Sequence, residues 1–276
     1  MRQKNPKQIL AESSLYPKKS FGQNFMMDDM VNLAISKTCA EIAKNATIIE
    51  IGAGTGALTE HLLEVSKKVY AIERDRDLVK ILKDRFYKEI EAGIVEICEA
   101  DAARFSLKAA FKDDAGILVG NLPYHLTSSI MLLALKNRSV LLGCVFLIQS
   151  EVALRLLSKP GSKDFSFLTA IMSLGFSLTR IREVSREAFW PVPKVDSTVI
   201  ALKKLPNEAL DQIDIEDLVK FVRSIFQKRR KQLKTILREK FSESDLLALG
   251  IDPKARPEDL EPEMFLKLYF YREHSR

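Results

Sequence analysis

The stretch that decides the fold is TIIEIGAGTGALT, residues 47–59. It begins with a short apolar run rich in isoleucine, which is typical of a buried strand, and continues with Gly52, Gly54 and Gly56 in close succession. Glycines allow the backbone to turn tightly and let a ligand approach the main chain without meeting a Cβ atom. The segment therefore predicts a strand, a ligand-binding turn and the start of a helix.

The alternation of apolar strands with helical patterns continues along the chain. Further strands are predicted in KKVYAIE, GIVEICEAD, AGILVGN and VLLGCVFLIQ, and a helix over residues 78–91. After a helical stretch that ends near Ser177, IREVSREAF and STVIALKKL are predicted to be strands that complete the sheet. This order predicts an α/β, Rossmann-like fold with a mostly parallel, doubly wound sheet, whose ligand site lies at the carboxyl ends of the strands.

A change of pattern near residue 206 divides the chain. The segment LPNEALDQIDIED, residues 205–217, combines a proline with a cluster of acids, and only helical pattern follows it. We therefore expect a Rossmann-like domain over residues 1–206 and a small all-α domain over residues 207–276.

The composition narrows the class of function. A net charge of +6 is compatible with a polyanionic partner, although many basic enzymes have none. Three widely spaced cysteines and only three histidines lead us to expect no disulfide framework and no metal site. The apolar stretches fall far short of the roughly 20 residues that cross a bilayer, and the N-terminal MRQKNPKQILAESS lacks the apolar core of a signal peptide. We expect a cytoplasmic protein with no membrane partner.

Acidic residues end two of the predicted strands at the place where a nucleotide cofactor would bind. Glu73 ends the second strand, where it would accept hydrogen bonds from ribose hydroxyls, and Asp101 ends the third, where it would accept from an adenine amine. By itself Asp101 is more typical of a helix N-cap. The glycines also satisfy the dinucleotide fingerprint, so S-adenosylmethionine, a nicotinamide cofactor and an unliganded turn remain as alternatives.

GNLPYHLTSSI, residues 120–130, follows the fourth predicted strand. If a sulfonium methyl group is transferred to an adenine amine, two hydrogen-bond acceptors are needed to orient this poor nucleophile. Asn121 offers a side-chain carbonyl and Leu122 a backbone carbonyl, which Pro123 fixes in direction. Tyr124 offers a face on which an extruded base can stack. Such a tetrapeptide is more often a simple turn, but its position at the crevice of a doubly wound sheet favours catalysis.

With these motifs in place, the sequence resembles the ribosomal RNA adenine N6,N6-dimethyltransferases, which dimethylate two adjacent adenosines near the 3′ end of small-subunit RNA. The resemblance runs nearly from end to end, in the blocks KKSFGQNFMMD, IGAGTGALT, NLPY, EVALRLLSKPGSKDF, AFWPVPKVDS, QKRRKQLKTIL and GIDPKARPEDL. It implies an S-adenosylmethionine-dependent methyltransferase domain, 16S rRNA within the 30S subunit or its precursor as the partner, and a monomeric enzyme of ribosome biogenesis.

The resemblance also implies roles for individual residues. The block at residues 18–28 would form an N-terminal lid over the cofactor, and Phe189 would stack on the target adenine opposite Tyr124. The implied cofactor-binding residues are Asn24, Met26, Gly52, Gly54, Glu73, Asp101 and Asn121. The implied catalytic residues are Asn121, Leu122, Pro123, Tyr124 and Phe189.

A few positions depart from the family pattern. His125 stands where Asn is usual, Ser150 where Lys is frequent, and Phe165-Ser166 in place of an aromatic-glycine pair. None of these changes removes a proposed catalytic group, but Ser150 and Ser166 would alter how an RNA-facing loop is held. A role for His125 as a general base is the less favoured interpretation, since a lone histidine is more often structural.

Basic residues are concentrated in one part of the predicted helical domain. Residues 220–240 hold nine basic residues and one acid, whereas residues 207–276 as a whole hold 14 of each sign. Apolar side chains between residues 222 and 237 fall on one helical stripe, which leaves the basic ones outside. Such a face is usually only solvated, but beside base chemistry it favours contact with RNA phosphates. The predicted RNA-binding residues are Lys228, Arg229, Arg230, Lys231, Lys234 and Arg238, with Lys18, Lys19, Arg155, Lys159 and Lys163 as an extension.

Other functions remain open at this point. One is a 23S rRNA adenine methyltransferase of the antibiotic-resistance type, a family that shares Asn-x-Pro-Tyr but differs in the C-terminal domain. Another is a ribosome-assembly factor whose main role is to bind 30S precursors. An oxidoreductase is a distant third, because the chain has no obvious Tyr-x-x-x-Lys or His–Asp hydride-transfer site.

Overall fold

The structure of the protein, a computed structural model, describes residues 5–18, 21–112 and 114–274. The chain divides into two compact units. The first unit comprises Met1–Ala153 and Leu178–Lys204, and the second comprises Leu154–Ser177 and Leu205–Arg276. The division after Lys204 lies close to the expected one at residue 206, but residues 154–177 group with the C-terminal helices rather than with the sheet domain.

Among the residues that the structure describes, nine strands build two sheets. They are β1 (Phe25–Met26), β2 (Thr47–Ile51), β3 (Lys68–Glu73), β4 (Val95–Glu99), β5 (Gly116–Asn121), β6 (Leu141–Gln149), β7 (Phe176–Val184), β8 (Phe189–Trp190) and β9 (Ser197–Lys204). The larger sheet has the order β4-β3-β2-β5-β6-β9-β7, and β1 pairs with β8 in the smaller one. Strands β2 to β6 pair in parallel, while β9 is antiparallel to β6. The predicted α/β fold with a mostly parallel sheet is confirmed.

The helices up to residue 156 are α1 (Pro6–Glu12), α2 (Asp29–Ile42), α3 (Ala57–Leu63), α4 (Arg76–Arg85), α5 (Tyr87–Glu91), α6 (Leu107–Phe111), α7 (Thr127–Lys136) and α8 (Ser150–Leu156). Of these helices, α1 precedes the first strand and the others follow or connect strands. All five residues of β2 are buried, as expected for a central strand of a parallel sheet. The predicted helix over residues 78–91 is interrupted, because Phe86 leaves the helical conformation at φ −106° and ψ 25°.

The interruption at Phe86 is linked to the glycine-rich turn. A Cβ atom at Gly56, where φ is +84°, would lie 2.4 Å from Cε2 of Phe86. Gly56 therefore serves the packing of the turn against this ring. The predicted strand IREVSREAF is also interrupted: β7 ends at Val184, and residues 186–188 form a 3-10 turn that Ser185 caps through the backbone N–H of Glu187.

The second unit contains helices, and no strand lies in residues 205–274, all of which are described. Its helices are α9 (Phe167–Gly175), α10 (Glu208–Asp211), α11 (Ile215–Phe226), α12 (Leu233–Ile236), α13 (Glu243–Ala248) and α14 (Pro262–His274). Helix α9 packs against α11 and α14, which explains why residues 154–177 belong here. The rings of Phe165 and Phe265 lie 6.4 and 5.6 Å from that of Phe226.

The single helical stripe predicted over residues 222–237 is wrong, because α11 ends at Phe226 and α12 begins only at Leu233. Tertiary hydrogen bonds replace the helical ones at this point. The backbone N–H of Leu233 donates to the carbonyl of Ala255 at 2.9 Å, and that of Lys234 donates to the carbonyl of Pro253 at 3.0 Å. In the described parts of the chain, no helix has the length and apolar composition needed to cross a membrane.

Candidate active site

A cavity lies in the first unit at the carboxyl ends of β2, β3 and β5, and every residue of the predicted cofactor-binding and catalytic sets lines it. This convergence follows from topology, since neighbouring parallel strands deliver their carboxyl ends to one edge of the sheet. No group of three His, Cys, Asp or Glu side chains among the described residues is arranged to hold a metal ion.

The carboxylate of Glu73, at the end of β3, is held by three backbone donors. Its Oε2 accepts from the N–H of Gly54 at 2.9 Å, and its Oε1 accepts from the N–H groups of Arg74 at 2.8 Å and Asp75 at 2.9 Å. Burial raises the pKa of Glu73, and these backbone donors oppose the rise. A carboxylate offers about four lone-pair sites, and these three donors leave about one of them for a ribose hydroxyl.

The backbone of the glycine turn faces the same cavity. Gly54 has φ +61°, a conformation that side chains rarely adopt, and a Cβ atom there would lie 3.5 Å from the ring of Phe25 on β1. Its N–H is already aimed at Glu73. These residues therefore fit a nucleotide-containing cofactor, because a turn without side chains at Gly52 and Gly54 lies beside the fixed carboxylate of Glu73.

Glu50, on β2, is a member of the cavity lining that sequence reasoning missed. Its side chain is buried, at 1% exposure, and the hydroxyl of Thr59 donates to its Oε2 at 2.6 Å. Burial raises the pKa of Glu50 to about 7, the nearby charge of Glu73 adds to the rise, and the Thr59 hydrogen bond and Arg85 oppose it. The only signal in the sequence is a single acid inside an apolar run.

The surroundings of Asp101 are compatible with both roles that its position suggests, a helix N-cap and a contact with a ligand. Its Oδ1 accepts from the N–H of Ala103 at 3.0 Å and so caps the short 3-10 helix Ala102–Arg104, as the N-cap interpretation predicts. Its Oδ2 lies 3.8 Å from Nη1 of Arg74, and the residue lines the cavity. Capping uses one oxygen, which leaves the other available to a ligand.

Asn121 and Leu122 are fixed from two directions. The Nδ2 of Asn121 donates to the backbone carbonyl of Asn24 at 3.2 Å, so the amide group is oriented with its Oδ1 left for another donor. The N–H of Leu122 donates to the carbonyl of Leu147 on β6 at 3.0 Å. The two carbonyl groups that the sequence assigns to catalysis thus belong to a firmly held strand end.

Two aromatic rings line the cavity near this strand end. Tyr124 is half-buried, and its hydroxyl lies 3.4 Å from Oγ of Ser197. Phe189 lies on β8, where its backbone pairs with Met26 of β1, and it is only 3% exposed. The structure brings both rings to the cavity, but most of the surface of Phe189 is covered by the hydrophobic core.

The lid segment, predicted over residues 18–28 and described by the structure at Lys18 and residues 21–28, contributes Asn24 and Met26 to the cavity. Lys19, which was predicted to extend the RNA surface, lies outside the described residues. Of the departures from the family pattern, His125 is exposed, Ser150 Oγ lies 2.9 Å from Thr198 Oγ1, and Ser166 caps α9.

The predicted RNA-binding residues of the second unit differ in their surroundings. Lys228, Arg230, Lys231 and Arg238 are exposed. Arg229 donates to the carbonyl of Lys163, and its Nε lies 3.4 Å from Oε2 of Glu258. Lys234 Nζ lies 3.2 Å from Oε1 of Glu243. Arg229 and Lys234 are therefore engaged within the unit, whereas the four exposed side chains present their charge to solvent.

The model of the ribosomal RNA adenine dimethylase family matches residues 16–273. The chain belongs to this family. It is 38% identical over 271 residues to Ribosomal RNA small subunit methyltransferase A of Clostridium botulinum, with 96% of this chain and 97% of the relative covered. Identity to the protein of the same name from Desulfitobacterium hafniense is 35% over 256 residues, with 90% and 89% covered.

Solved structures agree with this assignment. A dimethyladenosine transferase from Plasmodium falciparum superimposes with a TM-score of 0.76 at 25% identity, covering 91% of this chain and 98% of that one. The 23S rRNA methyltransferase ErmE superimposes with a TM-score of 0.68 at 25% identity, covering 90% and 99%. The predicted family, fold and enzyme class are confirmed: this rRNA adenine dimethyltransferase is an S-adenosylmethionine-dependent methyltransferase.

Proposed function

We propose that this rRNA adenine dimethyltransferase modifies the N6 amines of two adjacent adenosines near the 3′ end of 16S rRNA, within the 30S subunit or its precursor. Relatives named as small-subunit methyltransferases, which match 90% or more of the chain at 35–38% identity, support the choice of substrate. The structural observation that carries the chemistry is one cavity shared by the Asn121 amide, the Leu122 backbone and the Glu73 carboxylate.

In the proposed binding mode, Glu73 would accept a hydrogen bond from the ribose of the cofactor and Asp101 would accept one from its adenine amine. Gly52 and Gly54 leave space for close approach to the backbone, and Asn24 and Met26 cover the site from the lid segment. S-adenosylmethionine, when bound, supplies the electrophilic methyl group.

The target amine is oriented by two carbonyl oxygens. Asn121 Oδ1 and the Leu122 backbone oxygen accept its two N–H groups, so the nitrogen lone pair leaves conjugation with the ring and becomes nucleophilic. When the methyl group is transferred, the neutral thioether S-adenosylhomocysteine would leave and positive charge would develop on the amine beside these oxygens. One of its two N–H protons then becomes acidic and is released to solvent. A strong general base is therefore not required. After the first transfer one N–H remains, and a single acceptor orients it for the second.

The extruded adenine stacks on Tyr124, with Phe189 on its opposite face. Stacking on an aromatic ring stabilises a bound base by about 1 to 3 kcal/mol. We assign the RNA-phosphate contacts to Lys228, Arg230, Lys231 and Arg238, which are exposed. Arg229 and Lys234 contribute to RNA binding mainly by shaping this part of the second unit. The monomeric state and the cytoplasmic location remain predictions.

The substrate is tested by incubating the protein and tritium-labelled S-adenosylmethionine with undermodified 30S particles, 50S particles and naked 23S rRNA. We expect label in the 30S particles alone, with two adjacent primer-extension stops near the 3′ end of 16S rRNA. Asn121→Ala is the control for the chemistry, and it is expected to bind 30S particles but lose most methyl transfer. Label in 23S rRNA would contradict the proposed substrate and favour the resistance-type activity.

A further inference from the structure

Asp75 contacts both the cofactor site and the lid segment. Its backbone N–H donates to Oε1 of Glu73 at 2.9 Å. Its side chain is buried, with the residue at 3% exposure, and its Oδ1 accepts from Nζ of Lys18 at 2.7 Å while its Oδ2 accepts from Nε2 of Gln23 at 2.8 Å. Asp75 also caps α4, because its Oδ1 accepts from the N–H of Asp77 at 3.1 Å. This one residue therefore contacts the start of α4, the Glu73 carboxylate and the lid segment.

The lid side of this contact is a closed set of hydrogen bonds. The backbone N–H of Lys18 donates to Oε1 of Gln23 at 2.8 Å, which holds the two residues together. Nζ of Lys18 also donates to Oδ2 of Asp77 at 2.8 Å. These two carboxylates raise the pKa of Lys18, and Lys18 lowers the pKa of Asp77. A buried carboxylate such as Asp75 is strongly disfavoured when its partners leave, so the lid and the strand end depend on each other.

The residue that follows Gln23 reaches the catalytic amide. The carbonyl of Asn24 accepts from Nδ2 of Asn121 at 3.2 Å. A continuous series of hydrogen bonds therefore runs from Glu73 through Asp75 and Gln23 to the segment that orients Asn121. Capping of α4 alone does not require this arrangement, since the cap uses the N–H of Asp77, whereas the bonds to Lys18 and Gln23 lead only to the lid.

We propose that Lys18, Gln23 and Asp75 are positioning residues, which form a latch that closes the lid segment over the cofactor and sets the orientation of the Asn121 amide. The inference rests on the proposed roles of Glu73 and Asn121. Cofactor binding against Glu73 steadies the backbone of Asp75, and Asp75 holds the lid through Lys18 and Gln23. By linkage, the factor by which bound cofactor favours the latched lid equals the factor by which the latched lid increases the affinity for the cofactor.

The chain carries its own reporter for this latch. Trp190 is the single tryptophan of the sequence, and it lies on β8, where it pairs with Phe25 of the lid segment. The two rings are 6.5 Å apart. Quenching of Trp190 fluorescence by acrylamide therefore measures how well the lid covers this strand, with and without S-adenosylmethionine.

The test compares Lys18→Met with Lys80→Met. Lys80 is a matched control, because its Nζ also lies near Asp77, 3.8 Å from Oδ1, while its side chain is 78% exposed. For Lys18→Met we expect the Kd for S-adenosylmethionine, measured by calorimetry, to rise about tenfold. We also expect cofactor-induced protection of Trp190 to be lost and kcat to fall at saturating cofactor. Lys80→Met should behave as the wild type, and Lys18→Arg should restore most of the affinity.

Equal cofactor affinity and equal Trp190 protection in Lys18→Met and Lys80→Met would overturn the latch. If Lys18→Met does not fold, Asp77→Asn supplies the test, since it removes one of the two carboxylates that hold Lys18. Glu73→Ala, which removes the acceptor of the Asp75 N–H, separates the latch from the role of Glu73. An unchanged Kd contradicts the role of Glu73, whereas a raised Kd with full protection of Trp190 at saturation overturns the coupling. Methylation of 50S instead of 30S particles contradicts the proposed substrate and leaves the latch standing.

Discussion

Replacing Glu50 by glutamine removes a titratable group from the floor of the cofactor cavity while keeping its shape. The side chain is buried, and Thr59 donates to it at 2.6 Å. A glutamine carbonyl can accept the same hydrogen bond. Burial raises the pKa of Glu50 from an ordinary value of 4.5 to about 7. The folded protein therefore holds a proton here that the unfolded chain releases at a lower pH.

The sign and size of the effect follow from linkage. Below pH 4.5 the carboxyl group is protonated in both states, so its contribution to stability is fully present. As the pH rises through about 7, the unfolded chain gains from ionisation and the wild type loses stability. At about 1.4 kcal/mol per pH unit, the loss amounts to about 3 kcal/mol by pH 8. Glutamine has no proton to lose. The free energy of unfolding of Glu50→Gln, relative to that of the wild type, should therefore increase by about 3 kcal/mol between pH 4.5 and 8.

Urea unfolding followed by Trp190 fluorescence reports the first unit, which also contains Glu50. The free energy of unfolding of Glu50→Gln relative to wild type is measured at intervals from pH 4.5 to pH 8. The control is Glu41→Gln, at an exposed position on α2. Glu73 and Arg85 are present in both proteins, so their own titration cancels to first order. A difference between Glu50→Gln and wild type that stays flat over this range would refute the reasoning.

Three further substitutions test other parts of the structure. Tyr124→Ala should lower kcat/KM on 30S particles roughly 5- to 150-fold through lost stacking, whereas Tyr124→Phe should retain most activity in the same assay. Gly56→Ala should lower the free energy of unfolding by about 2 kcal/mol or more, because the new Cβ atom meets Phe86, whereas Gly93→Ala, with φ +74° and no atom within 4 Å, should cost only about 1 kcal/mol in urea titrations. Arg230→Glu should weaken binding to 30S RNA and reduce the slope of log Kd against log salt in filter binding, and an unchanged slope would exclude a phosphate contact.

The sequence predicts the sheet and the cavity well because both depend on local patterns. Apolar runs alternate with helical ones; Glu73 and Asn121 end β3 and β5, and Asp101 follows the end of β4 by two residues. Parallel pairing then collects these residues at one edge without further information. The same logic cannot find Glu50, which interrupts an apolar run and depends on a side chain in the next helix.

Long-range contacts decided the remaining differences. The bond between Lys18 and Asp75 joins residues 57 apart, and no periodicity marks it. The apolar stripe over residues 222–237 has helical spacing throughout, yet the backbone N–H groups of Leu233 and Lys234 find partners at Ala255 and Pro253. Tertiary hydrogen bonds thus override a local preference that is worth little for each residue.

The two-stranded sheet of β1 and β8 has a consequence for the order of events over two methylations. Met26 of the lid pairs with Phe189, and the N–H of Met27 donates to the carbonyl of Ala188 at 2.8 Å. If the lid segment opens for the spent cofactor to leave, the strand that carries Phe189 loses its partner. In the proposed binding mode, a half-modified adenine would then lose support on one face during cofactor exchange. Dissociation and renewed methylation thus compete at this stage, and a scarce cofactor supply should lead to accumulation of the monomethyl product.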